Sequence, residues 1–399
     1  MDELIRFRKQ FPILSQKTYL VSHSLGAMPA SVAVRMKEYT DTWAEKGVTA
    51  WADEWWDMPV TAAEPLARLL NAPAGTVALH PNVTTMQQIV LSCFEDPALR
   101  RGRNVIVTEE QNFPSILYLL RRWCESHDTE LRLVPSSDGV VVDTQRMIDA
   151  IDEKTFLVPM SHILFRSAYI QDAHAIIEKA HSVGAIVVLD AFQSVGVVPV
   201  DVISLGVDIL LGGVLKWLCG GPGGAFMYVR SDLLKTLQPR FTGWVAHRRP
   251  FDFDPAEIDL REDAFRMLNG TPTIPSLYAA SEGPKIILEA GIDAIRKKSL
   301  RQTKVLLEAA RENEWKSNTP LKDHERGGTV SLDVPHGLEV SRALIDQGIL
   351  VDYRKGGGIR IAPHFYNTDE EVRAAIDAIS TIITTRTWKS YEGDTGLVT

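Results

Sequence analysis

The sequence predicts an α/β fold: a large domain on a mostly parallel sheet, then a smaller α+β C-terminal domain. Two observations predict it. Between about residues 104 and 229, short apolar runs alternate with amphipathic stretches of helical length. That is the pattern of a parallel sheet covered by helices on both faces. From about residue 275 the alternation gives way to one long amphipathic stretch and a few short strand candidates. The expected division is 1–45 as an N-terminal segment packing with the small domain or a partner subunit, 46–275 as the large domain, and 276–399 as the small one.

The elements follow in order. Residues 104–108 read as a strand and 115–126 as a helix; 131–134 as a strand and 144–151 as an amphipathic stretch; 156–160 as a strand and 172–183 as a helix. Strands are then expected to end near Asp190 and Leu211, with another at 224–229. In the last third, the stretch 281–313 reads as one long amphipathic segment, followed by strands at 329–334 and 358–362. Thr368 with Glu371 three residues on forms a capping box that starts the final helix.

Composition bounds the function. The chain has 399 residues, 45% hydrophobic and 24% charged, with a net charge of -8. Such a balance is that of an ordinary globular protein and provides no basic surface for nucleic acid. No apolar run approaches the ~20 residues of a membrane span, and the mixed-charge N-terminus has no signal-peptide core. The three cysteines, Cys93, Cys124 and Cys219, are too widely spaced for a disulfide framework or a CxxC metal site. No metal is expected, and a reducing, cytoplasmic compartment is.

The segment Gly212-Gly213-Val214-Leu215-Lys216-Trp217-Leu218-Cys219-Gly220-Gly221-Pro222-Gly223 sets one lysine among small residues just after an apolar run. Upstream, the run 185–189 ends in Asp190. In open α/β sheets ligands sit beyond the carboxyl ends of strands, where both residues are expected. An acid at one buried strand end and a lysine beyond the next are what pyridoxal 5'-phosphate (PLP) requires. The lysine forms the Schiff base, and the carboxylate keeps the pyridine nitrogen protonated. The plain alternatives are a solvated loop lysine and a helix-capping or turn aspartate.

Further segments carry a resemblance. They are Tyr19 to Ala27, Gln111-Asn112-Phe113-Pro114-Ser115, Asp190 to Asp201, Lys216 to Gly223, Gly243 to His247 with Pro250-Phe251, and Asn269-Gly270-Thr271-Pro272. Through them the chain resembles the class V branch of PLP-dependent enzymes of fold type I, and within it kynureninase, over about residues 18–385. The resemblance implies a fold type I, transferase-like homodimer acting on a small-molecule amino-acid substrate, with Lys216 and Asp190 catalytic. It implies that Gln193 reaches the ring hydroxyl and Phe113 stacks on the ring, unless Phe113 is plain core. Thr84 and Thr85 precede a helix-like stretch (86–94) and would hold the phosphate, or serve as an ordinary cap. Thr271 would reach a phosphate across the dimer interface, making the site composite; Asn-Gly before Thr-Pro is also strong turn chemistry.

For the substrate, Arg360 is the candidate for the α-carboxylate, which a guanidinium binds bidentately. His162 and Arg166 are expected to face the site, one or both, although a salt-bridged Arg166 fits the sequence equally. Trp244, His247 and His23 would line an aryl pocket, with Trp244 also at the cofactor, or be structural. Two positions depart from the kynureninase pattern. Leu215 stands where that family has tyrosine, and Gln193 where it commonly has histidine. Cysteine desulfurases place a thiol shortly after the carboxylate arginine; here that place holds Phe365. The implied reaction is hydrolysis of L-kynurenine to anthranilate and L-alanine. The alternative is a class V aminotransferase or another amino-acid lyase.

Overall fold

A computed structural model describes residues 2–393, so 394–399 of the expected small domain lie outside the described residues. The strands are β1 (Thr18–Tyr19), β2 (Val77–His80), β3 (Val105–Glu109), β4 (Glu130–Val134), β5 (Thr155–Ser161), β6 (Ile186–Asp190), β7 (Ile209–Gly213), β8 (Ala225–Val229), β9 (Lys316–Ser317), β10 (Val330–Asp333), β11 (Ile349–Leu350), β12 (Asp352–Arg354) and β13 (Gly358–Ile361). The large sheet has seven strands in the order β2-β8-β7-β6-β5-β3-β4.

Strands β3 to β7 are mutually parallel, and β8 runs antiparallel to both of its neighbours. The reason is the connection. Residues 214–224 join β7 to β8 without a crossover helix, so the chain turns back instead of returning in parallel. That turn carries Lys216. The period of two sorts the side chains between two cores. Val105, Val107, Val158, Met160, Val187 and Leu189 meet helix residues Met147, Ile176 and Ile177 on one face. Ile106, Leu157, Val188, Ile209 and Leu211 meet Ile89 and Leu120 on the other.

The small sheet is antiparallel, in the order β12-β13-β10-β9. The N-terminal segment is stitched to it: β1 pairs in parallel with β11, Phe7 and Phe11 stand edge-on to Phe365, and Arg8 bridges to Glu371 at 2.7 Å. Helix Ala30–Lys46 instead packs on helix Ile274–Ala280.

Two expectations are corrected. The long stretch 281–313 is two helices, Glu282–Ala290 and Ile292–Glu312, because Gly291 at φ 82° closes the first and lets the chain turn into the second. The helix expected from residue 86 starts at Val83, capped by the Asn82 side chain, so Thr84 and Thr85 lie inside its first turn. The final helix begins as expected, with the Thr368–Glu371 capping box formed. Among the described residues no helix is long and apolar enough to cross a membrane.

Candidate active site

The lysine turn is shaped by what surrounds it. A Cβ on Gly213 would lie 2.1 Å from the Phe192 ring, so the strand must end in glycine for that ring to lie under the lysine. Gly26 donates its N–H to the Leu215 carbonyl at 2.8 Å, and a Cβ there would meet the Lys216 carbonyl at 2.1 Å. The N-terminal segment thus clamps the turn from one side. Trp217 fixes the other: its indole N–H donates to Gln193 Oε1 at 3.1 Å, and His364 Nε2 lies 2.8 Å from its carbonyl.

Lys216 Nζ lies 4.5 Å from the Phe192 ring centre and 5.9 Å from that of Phe113. Burial lowers its amine to about 8; Asp190 opposes the shift and Arg360 adds to it. An amine near 8 is partly neutral at physiological pH, as a nucleophile must be. Asp190 ends β6 and accepts the Phe192 N–H at 2.9 Å. Burial pushes its carboxyl up to about 6, which the Phe192 hydrogen bond and Lys216 only partly offset. Both residues line a cavity of about 300 Å³ with Thr84, Phe113, Gln193, Ser161, Phe165 and Leu215 among its walls.

Helix Pro114–Ser126 supplies Phe113 at its N-cap. Asn112 steadies that corner, accepting the Phe113 N–H at 2.7 Å and donating to Thr108 Oγ1 at 3.1 Å, while Pro114 starts the helix. Phe113 is half-exposed, its face open to the cavity and its edge against Phe165. Gln193 is held at both ends, its Nε2 donating to the His23 carbonyl at 3.2 Å.

The other expected residues divide. Thr84 is exposed at the cavity, but Thr85 is not among its walls and spends its hydroxyl on Asn82 at 3.1 Å. His162 does not line the cavity: its ring is buried against Ser194 Oγ at 2.9 Å, and burial lowers it to about 4. β5 ends at Ser161, which takes the wall, and His162 in the bend just after it is held by Ser194 instead. Arg166 is exposed, its guanidinium 5.4 Å from the ring of Phe165, and among the described residues no carboxylate pairs with it.

Trp244, His247 and Thr271 stand away from the Lys216 cavity within one chain. Trp244 and Thr271 border a second cavity with Trp56 and Phe251, and His247 accepts the Arg249 N–H at 2.8 Å. Arg360 is buried and already engaged: Nε donates to Asp352 Oδ1 at 2.7 Å, Nη2 to Asp352 Oδ2, and Nη1 to the Phe165 carbonyl at 2.9 Å. His23 is buried beside this pair, Nε2 lying 3.3 Å from Asp352 Oδ1. Burial, with the charge of Arg360, lowers His23 to about 4.

Sequence reasoning missed Phe192, Asp352 and Glu109. Glu109 ends β3, accepts the Ser161 N–H at 2.8 Å, and is pushed up to about 7 by burial. Asp352 had a readable signal. Two short strands flank Lys355-Gly356-Gly357, and the hairpin register sets Asp352 directly opposite Arg360.

An acid ending one strand and a lysine in the turn beyond the next are the arrangement that PLP chemistry needs. The sequence profile of the family "Aminotransferase class-V" matches residues 18–381, and the chain belongs to that family. Among curated relatives it is similar to the kynureninase of Burkholderia pseudomallei (strain K96243), 30% identical over 98% of this chain and 95% of that one. It is also similar to the kynureninase of Pseudomonas fluorescens, 31% identical over 97% and 94%. Among solved structures, a cysteine desulfurase from Thermococcus onnurineus NA1 superposes with a TM-score of 0.83 at 22% identity, covering 95% of this chain and 98% of that one. The Escherichia coli cysteine desulfurase CsdA gives 0.82 at 19%, covering 96% and 99%. The fold is therefore fold type I.

The family's cofactor is PLP, and the residues present fit it. The Asp190 carboxyl, raised by burial, is the partner that a ring-nitrogen cation would satisfy. Lys216 is buried with a lowered amine. Phe113 offers a ring face, and the first turn at Thr84 offers free N–H groups to a phosphate.

Proposed function

We propose that this protein is a kynureninase-like, PLP-dependent hydrolase that converts L-kynurenine and water to anthranilate and L-alanine. The observation that carries the reading is Lys216 and Asp190 in one apolar-walled cavity beside Arg360, in a chain that matches kynureninases over nearly its whole length. Bound there, the cofactor would supply an electron sink that weakens the bonds at the substrate's α- and β-carbons.

The chain's own residues do the rest. Lys216 holds the cofactor covalently and, once released, carries a proton at Nζ. Asp190 holds positive charge at the ring nitrogen. Phe113 covers the ring, Gln193 faces its hydroxyl, and Thr84 with the N–H groups of its turn takes the phosphate. Arg360 receives the substrate carboxylate, and His23, with Nε2 facing Asp352, offers Nδ1 nearby. Phe165 and Ile163 give the aryl side chain an apolar wall that excludes water. Thr271 and Trp244 act from a partner subunit in a homodimer with composite sites. The three cysteines are free and buried, which suits a reducing compartment such as the cytoplasm.

A second reading, a class V aminotransferase or another lyase, is favoured by Leu215, which puts an apolar side chain where the kynureninase pattern has a phenol. Persulfide chemistry has no support. All three thiols are pushed up to about 12 by burial. The experiment is incubation of the PLP-loaded protein with L-kynurenine, read by anthranilate fluorescence. Anthranilate without any oxo-acid supports the hydrolase. Product formed only when pyruvate or glyoxylate is added moves the assignment to the aminotransferase.

A further inference from the structure

Asp352 is fully buried and lies in direct register with Arg360 across β12 and β13. Its two oxygens take Arg360 Nε and Nη2, while Ser24 Oγ donates to Oδ2 at 3.3 Å. The Phe165 carbonyl takes Nη1. A guanidinium has five N–H donors, so one on Nη1 and one on Nη2 remain for another acceptor. An unrestrained arginine samples many rotamers, a freedom that the Asp352 fork removes before any substrate arrives. Burial alone would raise the Asp352 carboxyl; His23, 3.3 Å from Oδ1, and the Arg360 fork together outweigh it and hold Asp352 well below the usual carboxylate range. Asp352 therefore stays charged at working pH.

We propose that Asp352 is a positioning residue: it fixes Arg360 so that the remaining Nη hydrogens receive the amino acid's α-carboxylate, and its negative charge screens Lys216 from that guanidinium. The inference rests on the reading of Arg360 as the carboxylate receiver. The charged and titratable groups facing Lys216 are Asp190 from the large sheet, Arg354, Asp352 and Arg360 from the small sheet, and His23 from the N-terminal segment.

The test uses PLP-loaded protein and two optical readouts: the pH midpoint of the lysine-bound cofactor band, and the apparent Kd for L-alanine from the change in that band. For Asp352→Asn the midpoint is expected to move to lower pH, because the Arg360 charge is no longer balanced near Lys216. The Kd is expected to rise roughly 10- to 100-fold. Asp352→Glu keeps the charge but displaces the fork by a methylene, so its midpoint stays at the wild-type value while its Kd rises. It carries the test alone should Asp352→Asn not fold. Arg360→Ala separates the two layers. If it weakens L-alanine binding while neither Asp352 variant does, the positioning role is overturned and the reading of Arg360 stands. If Arg360→Ala leaves binding unchanged, the reading of Arg360 fails and this inference falls with it.

Discussion

Burial sets the chemistry of single residues here. Asp190 and Glu109 are raised to about 6 and about 7, both above their unfolded values. The sign follows: an acid with a raised folded value contributes stability at low pH that is lost as pH climbs through that value. Four buried histidines act with the opposite sign: His23 and His162, lowered to about 4, and His80 and His364, lowered to about 3, add stability as pH rises towards the ordinary imidazole value. They outnumber the two acids, so cofactor-free protein should melt higher as pH rises from about 4 to about 6. Asp190→Asn removes one of the opposing contributions and should steepen that rise, and PLP, by giving Asp190 a cation, should do the same. A melting temperature that ignores pH across this window contradicts the burial argument. Lys216→Ala should abolish the covalent cofactor band and turnover, and Asp190→Asn should cost about 10²-fold or more in turnover rate, measured at saturating PLP. Lys216 and Asp190 were legible because strand ends and glycine-rich turns leave marks in sequence. That His162 would pack on Ser194 rather than line the cavity was not legible, because it lies in the bend just past the end of β5, and Phe192 was invisible because its ring meets Lys216 only through the missing side chain of Gly213.

Short contacts between elements decide whether the site forms. Gly26→Ala would drive a methyl into the Lys216 carbonyl and the Cys219 backbone. It should cost roughly 1–3 kcal/mol, as overpacking does, and weaken PLP retention more than an equally destabilising change elsewhere, which spectral titration at matched stability would reveal. Thr368→Ala removes a formed capping box and should cost about 1 kcal/mol without altering the cofactor band. Most parallel strands and the last helix could be read from periodicity and capping, because both are local signals. The reversal of β8 and the break at Gly291 could not. Each depends on how a short connection is accommodated by neighbours far away in sequence.

At the scale of the molecule, Trp244, Phe251 and Phe253 form an exposed aromatic cluster, and helix Ala30–Lys46 buries none of its residues within one chain. The proposed homodimer would cover such a surface and bring Thr271 to a partner's cofactor. Co-expressed Lys216→Ala and Thr271→Ala chains test this. Each homodimer should be impaired, whereas mixed dimers should restore about a quarter of wild-type sites; no recovery on mixing would place the site within one chain. The Arg360 fork has a further consequence. It arises from the small sheet, the lysine from the large one, and the apolar wall from loops between them. If a substrate carbon is gripped by amine, carboxylate and side chain from these fixed directions, its mirror image cannot satisfy all at once. The site is then handed, and a racemic amino acid should leave one enantiomer unconsumed in the tube.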